Sequence, residues 1–118
     1  MDCGDLFNPD CPTRLVLDRI ADKWTVMLLV LLSQGPMRFS ALKRATGISQ
    51  KVLAQTLKRL ERDGFASRAV FPTVPVTVEY LITPLGADLA QTLEGLRLWS
   101  ERHIGAVLAA QRDYDAAA

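Results

Sequence analysis

The chain has 118 residues, 49% of them hydrophobic, and a formal net charge of +1, which is enough length and apolar content for one domain with its own core. Its longest apolar run, the seven residues Val26 to Leu32, is far short of the roughly 20 needed to cross a bilayer. The start MDCGDLFNPDCPTRL lacks a basic leader with an apolar segment behind it, so a cytoplasmic protein with no membrane partner is expected.

Charge is unevenly spread. From Arg38 to Arg68 the chain carries eight cations against Glu61 and Asp63, a local excess of +6, and the remainder sums to −5. A basic middle in an acidic frame predicts a polyanionic partner that meets one face. Cys3, Cys11 and the single histidine cannot fill a four-ligand zinc site, and no CxxC occurs; neither metal nor cofactor is expected. Both thiols are expected to be reduced in cytosol.

In chain order, residues 1–10 are expected to form a flexible arm. Residues 11–34 hold two helices. The first places Val16, Leu17 and Ile20 on one side, with Pro12 suited to its first turn. The second is capped by Asp22, is apolar nearly all round, and stops at Gly35 and Pro36; it should be the central core helix. A short helix follows, capped by Ser40, with Ala41, Leu42 and Ala45 inward and Gly47 as its end.

Only Gly47 and Ile48 then precede Ser49, which caps the next helix. Leu53, Leu57, Leu60 and Gly64 recur at helical spacing and should face the core. Lys51, Gln55, Lys58 and Arg62 repeat the same spacing on the opposite face. Such a face can be plain solvated charge. Two helices joined by so tight a turn, however, match a helix-turn-helix, whose second helix lies in a DNA major groove.

The period then changes. ASRAVFPTVPVTVEYLI is rich in residues suited to a pleated surface, so strands are expected over about 66–71 and 76–82, with Pro72 to Pro75 as the loop between them. A hairpin after a helix-turn-helix is a wing, and residues 38–82 therefore form one unit. Thr83 and Pro84 open a helix expected to run over 83–111, leaving 112–118 as a frayed tail. Its stripe of Leu85, Leu89, Leu93, Leu96, Trp99, His103 and Val107 is longer than a domain of this size can cover, which predicts a partner helix. The expected fold is mainly α with a small β-hairpin.

This order of elements predicts double-stranded DNA binding. Base contacts belong to Ser49, Gln50, Lys51 and Gln55 in the N-terminal half of the recognition helix, because Gln can pair with adenine and Lys with guanine. Lys58, Arg59 and Arg62 lie further along and suit phosphate or solvent, and Arg38 and Ser40 before the turn and Arg68 on the hairpin complete the expected DNA-facing set. The alternative is a winged helix used as a protein adaptor, which would lack salt-sensitive DNA affinity. No nucleophile, base and orienting acid can be assembled from one histidine, so an enzyme is not expected. His103 reads as a packed or interface residue, and Trp24 and Trp99 as core or as the lining of an effector pocket.

CPTRLVLDRIADKW, RFSALKR, GISQKVLAQTLKRLERDG and VFPTVPVTVEYLITPLG together resemble the HxlR family of winged-helix transcription regulators, related to MarR-type proteins. The resemblance spans Cys11 to about His103. It implies a homodimer built from the first helix, including Leu15, and the last, with each recognition helix entering half of a near-palindromic operator. It also implies that the wing near Pro75 and Thr77 faces DNA, although Thr77 stands where family wings carry Arg or Lys. In some relatives the cysteine at the place of Cys11 senses oxidants or electrophiles, and here an intersubunit disulfide or thiol adduct could shift the recognition helices. The other reading of Cys11 is a small buried hydrophobe.

Overall fold

A computed structural model describes residues 3–118. Met1 and Asp2, the start of the expected arm, lie outside the described residues. The elements run α1 (Arg14–Ile20), α2 (Lys23–Leu32), β1 (Met37–Arg38), α3 (Phe39–Thr46), α4 (Gln50–Arg62), β2 (Ala66–Phe71), β3 (Thr77–Ile82) and α5 (Pro84–Ala117).

The core grows around α2. Asp22 caps it by accepting from the Trp24 amide, and Leu28, Leu29 and Leu32 are almost wholly buried. Against them pack Leu42 of α3, Ile48 of the turn, Leu53, Leu57 and Leu60 of α4, and Ala90 and Leu93 of α5. Of the apolar row expected on α4, Leu53, Leu57 and Leu60 face inward, whereas Gly64 at its end is exposed. Trp24 packs against this core too, with Lys23 Nζ 4.7 Å from its ring centre.

The β2–β3 hairpin is regular and pairs Ala66 with Ile82 through to Phe71 with Thr77. A third strand, β1, was not anticipated. It adds to the other edge of β3 and pairs Met37 with Tyr80 and Arg38 with Glu79, giving the order β1-β3-β2. Two residues are too few to show a period, and only the edge of β3 makes them a strand.

That strand also corrects the cap of α3. Arg38 is the extended residue before the helix and no side chain caps it, so Ser40 lies exposed within the first turn. Ala45 is exposed as well, leaving Leu42 as the buried anchor of α3. Pro12 precedes the N-cap residue Thr13 and lies outside the first turn of α1.

α5 begins as expected: Thr83 accepts from the Gly86 amide and Pro84 holds the first helical position. It does not stop near Gln111, however, because 112–117 continue the same helix. The sequence DYDAAA holds no glycine or proline that would end it, and alanine is the strongest helix former. Among the described residues, no helix is long and apolar enough to cross a membrane.

Candidate nucleic-acid interface

The turn between α3 and α4 is set by three neighbouring residues. Gly47 adopts φ 73°, a left-handed conformation that glycine accepts without strain, and its amide closes α3 on the Lys43 carbonyl. Ile48 is buried and pins the turn to the core. Ser49 then receives the Val52 amide on its hydroxyl at 3.3 Å and starts α4.

This arrangement leaves Ser49, Gln50, Lys51, Gln55, Lys58, Arg59 and Arg62 exposed. Not all are equally available. Arg59 donates to the Asp22 carboxylate at 3.0 Å, which ties α4 to the first turn of α2. Arg68 pairs with Glu61 at 2.8 Å, which ties β2 to α4. These two DNA-contact candidates therefore each already have an anionic partner within the chain. Arg19 of α1 bonds Asp63 at 2.5 Å, and this hydrogen bond holds the Arg19 guanidinium above its ordinary pKa.

Asp63 and Glu61, the only acids between Arg38 and Arg68, are therefore both neutralised. Among the described residues, Arg38, Lys43, Arg44, Lys51, Lys58 and Arg62 take part in no ion pair. A band of unpaired cations can neutralise successive phosphates and release their counterions. Lys43 and Arg44 enter the sequence reading only through the charge count; their exposure and lack of ion-pair partners set them beside Arg38 and Arg62.

The wing differs from the rest. Pro75 is exposed and Thr77 partly so, but the Thr77 hydroxyl lies 2.7 Å from that of Thr73, which also donates to the Pro75 carbonyl. With Arg68 engaged, the hairpin offers no unpaired cation.

At the N-terminus the expectation fails. From Cys3 onward the arm folds back and Cys3 is disulfide-bonded to Cys11, eight residues away, with a Cα–Cα distance of 5.8 Å. Arg14 reaches back to the Leu6 and Phe7 carbonyls, and the Thr13 hydroxyl lies 3.1 Å from Cys11 Sγ. Cys11 is buried, as its blander reading supposed, yet it is bonded within its own chain rather than to a second one. The expectation of two reduced thiols rests on the cytosolic compartment, whereas here the chain brings Cys3 and Cys11 within bonding distance.

The stripe on α5 divides. Leu93 is buried and Leu89 packs on the protomer core, which removes Leu93 from any surface open to a partner. Leu96, Trp99, Ile104, Val107 and Leu108 stay exposed, as do Leu15, Val16 and Leu17 of α1. His103 is not packed inside the protomer; its ring stacks on Trp99 with centres 4.5 Å apart. Its Nδ1 lies 2.8 Å from the Trp99 carbonyl, an arrangement that needs the proton on Nδ1. A groove between α2 and α5 is lined by Val26, Met27, Leu31 and Arg97, and neither tryptophan lines it. Arg97 is clasped there by Glu94 and Glu101, and the hydrogen bond from Arg97 holds the Glu94 carboxyl below its ordinary pKa.

A capped second helix with a buried leucine row, an outward cationic row and an attached hairpin is the geometry of a winged helix-turn-helix. The HxlR-like helix-turn-helix profile matches residues 19–107. The chain belongs to this family. It is 45% identical over 107 residues to the HTH-type transcriptional regulator YtfH of Escherichia coli, an alignment covering 90% of this chain and 85% of that protein. The solved structure of YtfH from Salmonella typhimurium superposes with a TM-score of 0.85 at 43% identity, covering 93% of this chain and 99% of that one. The redox regulator HypR in its reduced form superposes at 0.76 with 31% identity, covering 84% and 99%. This HxlR-family chain is a transcriptional regulator of the helix-turn-helix type, and its relatives are named as regulators rather than enzymes.

Proposed function

We propose that this chain binds specific double-stranded DNA in the cytoplasm as a homodimer on an inverted repeat, and that the thiol state of Cys11 adjusts that binding. The observation that carries the DNA reading is the row of unpaired cations on α4 opposite its buried leucines, with Gln50, Lys51 and Gln55 at the N-terminal half. That half is the part of a recognition helix that meets base edges. Dimerisation is supported by the apolar faces that α1 and the second half of α5 leave uncovered.

Regulation through Cys11 is supported by its bond to Cys3 and by the likeness to HypR, which is a redox regulator. On oxidation each thiol gives up a proton, and the pair loses two electrons to a peroxide that leaves as two waters. The closed loop sits on the N-terminus of α1. That helix buries none of its own residues and grips the end of α4 through Arg19 and Asp63. Opening or closing the loop can thus move α1 and, through the ion pair, the recognition helix.

The deciding experiment selects source-genome fragments with purified reduced protein at near-physiological salt, and repeats the selection with Lys51→Ala. Promoter fragments sharing an inverted repeat are expected, with Lys51→Ala binding them about tenfold or more weakly and with altered base preference. Equal affinity of the variant refutes the assignment of the recognition face. Absence of any salt-sensitive DNA retention favours the protein-adaptor reading instead.

A further inference from the structure

Two ion pairs join the C-terminal end of α4 to α1 and α2, and they differ in kind. Arg19 and Asp63 meet with side chains only 16% and 9% exposed, so that pair is largely shielded from water. Arg59 and Asp22 meet with side chains 45% and 26% exposed, through Nη2 and Oδ2 at 3.0 Å. An ion pair so open to solvent holds weakly. Asp22 keeps other partners without it: Oδ1 accepts from the Trp24 amide at 3.1 Å, and Oδ2 lies 3.5 Å from the Thr25 hydroxyl. Arg59 stands at the flank of the outward row, four residues after Gln55 and three before Arg62. Those spacings bring side chains together on a helix surface. Its guanidinium would extend the track of unpaired cations that Lys58 and Arg62 form, but Asp22, 37 residues away in the chain, holds it back.

We infer that Asp22 sets the strength of DNA binding from outside the recognition face, by withholding Arg59 from the phosphates. This inference rests on the DNA-binding reading above. The cap of α2 needs only a side-chain oxygen, which Asn or Ser supplies as well as Asp. The carboxylate adds the charge that captures Arg59. While the pair is formed, the two charges cancel, and Arg59 displaces no counterion from a phosphate. With residue 22 neutral, Arg59 is free to meet a phosphate, and each phosphate neutralised adds about 0.9 to the salt slope. Phosphate contacts carry no sequence information. Asp22 therefore lowers affinity for all duplexes together and leaves base preference to Gln50, Lys51 and Gln55. The shielded Arg19–Asp63 pair has no such exchange open to it and remains a tie between elements.

The experiment measures binding of the full-length, reduced protein between about 50 and 200 mM salt. Its probes are a mixed-sequence duplex and the consensus selected by the parent. Asp22→Asn is expected to bind both duplexes roughly fivefold more tightly at near-physiological salt, with a slope steeper by about 0.9. Asp22→Ser, which also keeps a capping oxygen, should repeat the gain, and both variants should select the parental consensus. In an Arg59→Ala background, Asp22→Asn should change affinity by less than about twofold, because the gain needs the released guanidinium. Melting curves taken alongside report whether each variant is folded. If Asp22→Asn and Asp22→Ser bind as the parent does or more weakly, or if neither folds, Asp22 is a structural tie and the inference is wrong. A gain that persists without Arg59 refutes it too, since loss of one negative charge would then suffice. If the parent retains neither duplex in a salt-sensitive way, the DNA-binding reading falls first and this inference with it.

Discussion

Gly86 shows how one atom can decide a position. It lies in the first turn of α5 against the end of α4, where a Cβ would stand 2.1 Å from the Phe65 carbonyl oxygen and 2.9 Å from Ile82 Cγ1. The first of these is backbone and cannot swing aside. Its neighbour Thr83 accepts from the Gly86 amide while donating to the Gly64 carbonyl at 2.6 Å, so the junction of recognition helix, wing and α5 is held by a few short contacts. Gly86→Ala should destabilise the fold by about 3 kcal/mol, read as a lowered urea midpoint with little change in slope. A midpoint shift under about 0.5 kcal/mol would mean that the junction can open without loss. The same lesson holds for charges. Arg59 and Arg68 look like Lys51 and Lys58 in a list of cations, but a carboxylate within 3.0 Å makes each a tie between elements. Sequence separations of 37 residues for Arg59 and Asp22 hide that difference from any local pattern.

At the scale of elements, α4 was legible because its cap, its apolar period and its terminal glycine are local signals that agree with one another. The N-terminal segment was not, since its order comes from a covalent bond and long-range hydrogen bonds to Arg14 and Thr13 rather than from any periodicity. If the Cys3–Cys11 loop sets the position of α1, treatment with peroxide should change operator affinity severalfold in the parent. Cys11→Ser and Cys3→Ser should each remove that response. Arg19→Ala should leave disulfide formation intact but uncouple it from DNA affinity, because the tie to Asp63 is gone. A response that survives in Cys3→Ser while vanishing in Cys11→Ser would overturn the intrachain pairing as the switch and return the sensing to Cys11 alone.

For the whole molecule, shape carries the message. A 118-residue chain would have a radius of gyration near 13.5 Å if packed as an average domain, whereas this one has 17.4 Å and extends 61 Å along its longest axis. The difference comes from α5, whose 34 residues span about 50 Å, and which buries nothing beyond Leu93. Trp99, Ile104 and Leu108 on this arm face solvent in one protomer. Dimerisation through them is expected in sedimentation or light scattering at micromolar concentration. Trp99→Asp combined with Leu108→Asp should yield monomers that remain folded, since neither side chain supports the protomer core. A parent that sediments as a monomer would contradict the homodimer.

The sequence by itself determined the winged-helix order of elements, the caps of α2, α4 and α5, the inward row of α4 and the basic face opposite it. Those features are written in spacing, capping residues and turn residues within a few positions of one another, and local backbone physics reads them directly. Only the tertiary structure decided which cations remain unpaired, that Met37 and Arg38 form an edge strand, that Leu93 belongs to the core rather than to a dimer face, and that Cys3 and Cys11 meet. Each of these depends on which distant residue arrives alongside, and that follows from the packing of the whole chain around α2 rather than from the local run of side chains.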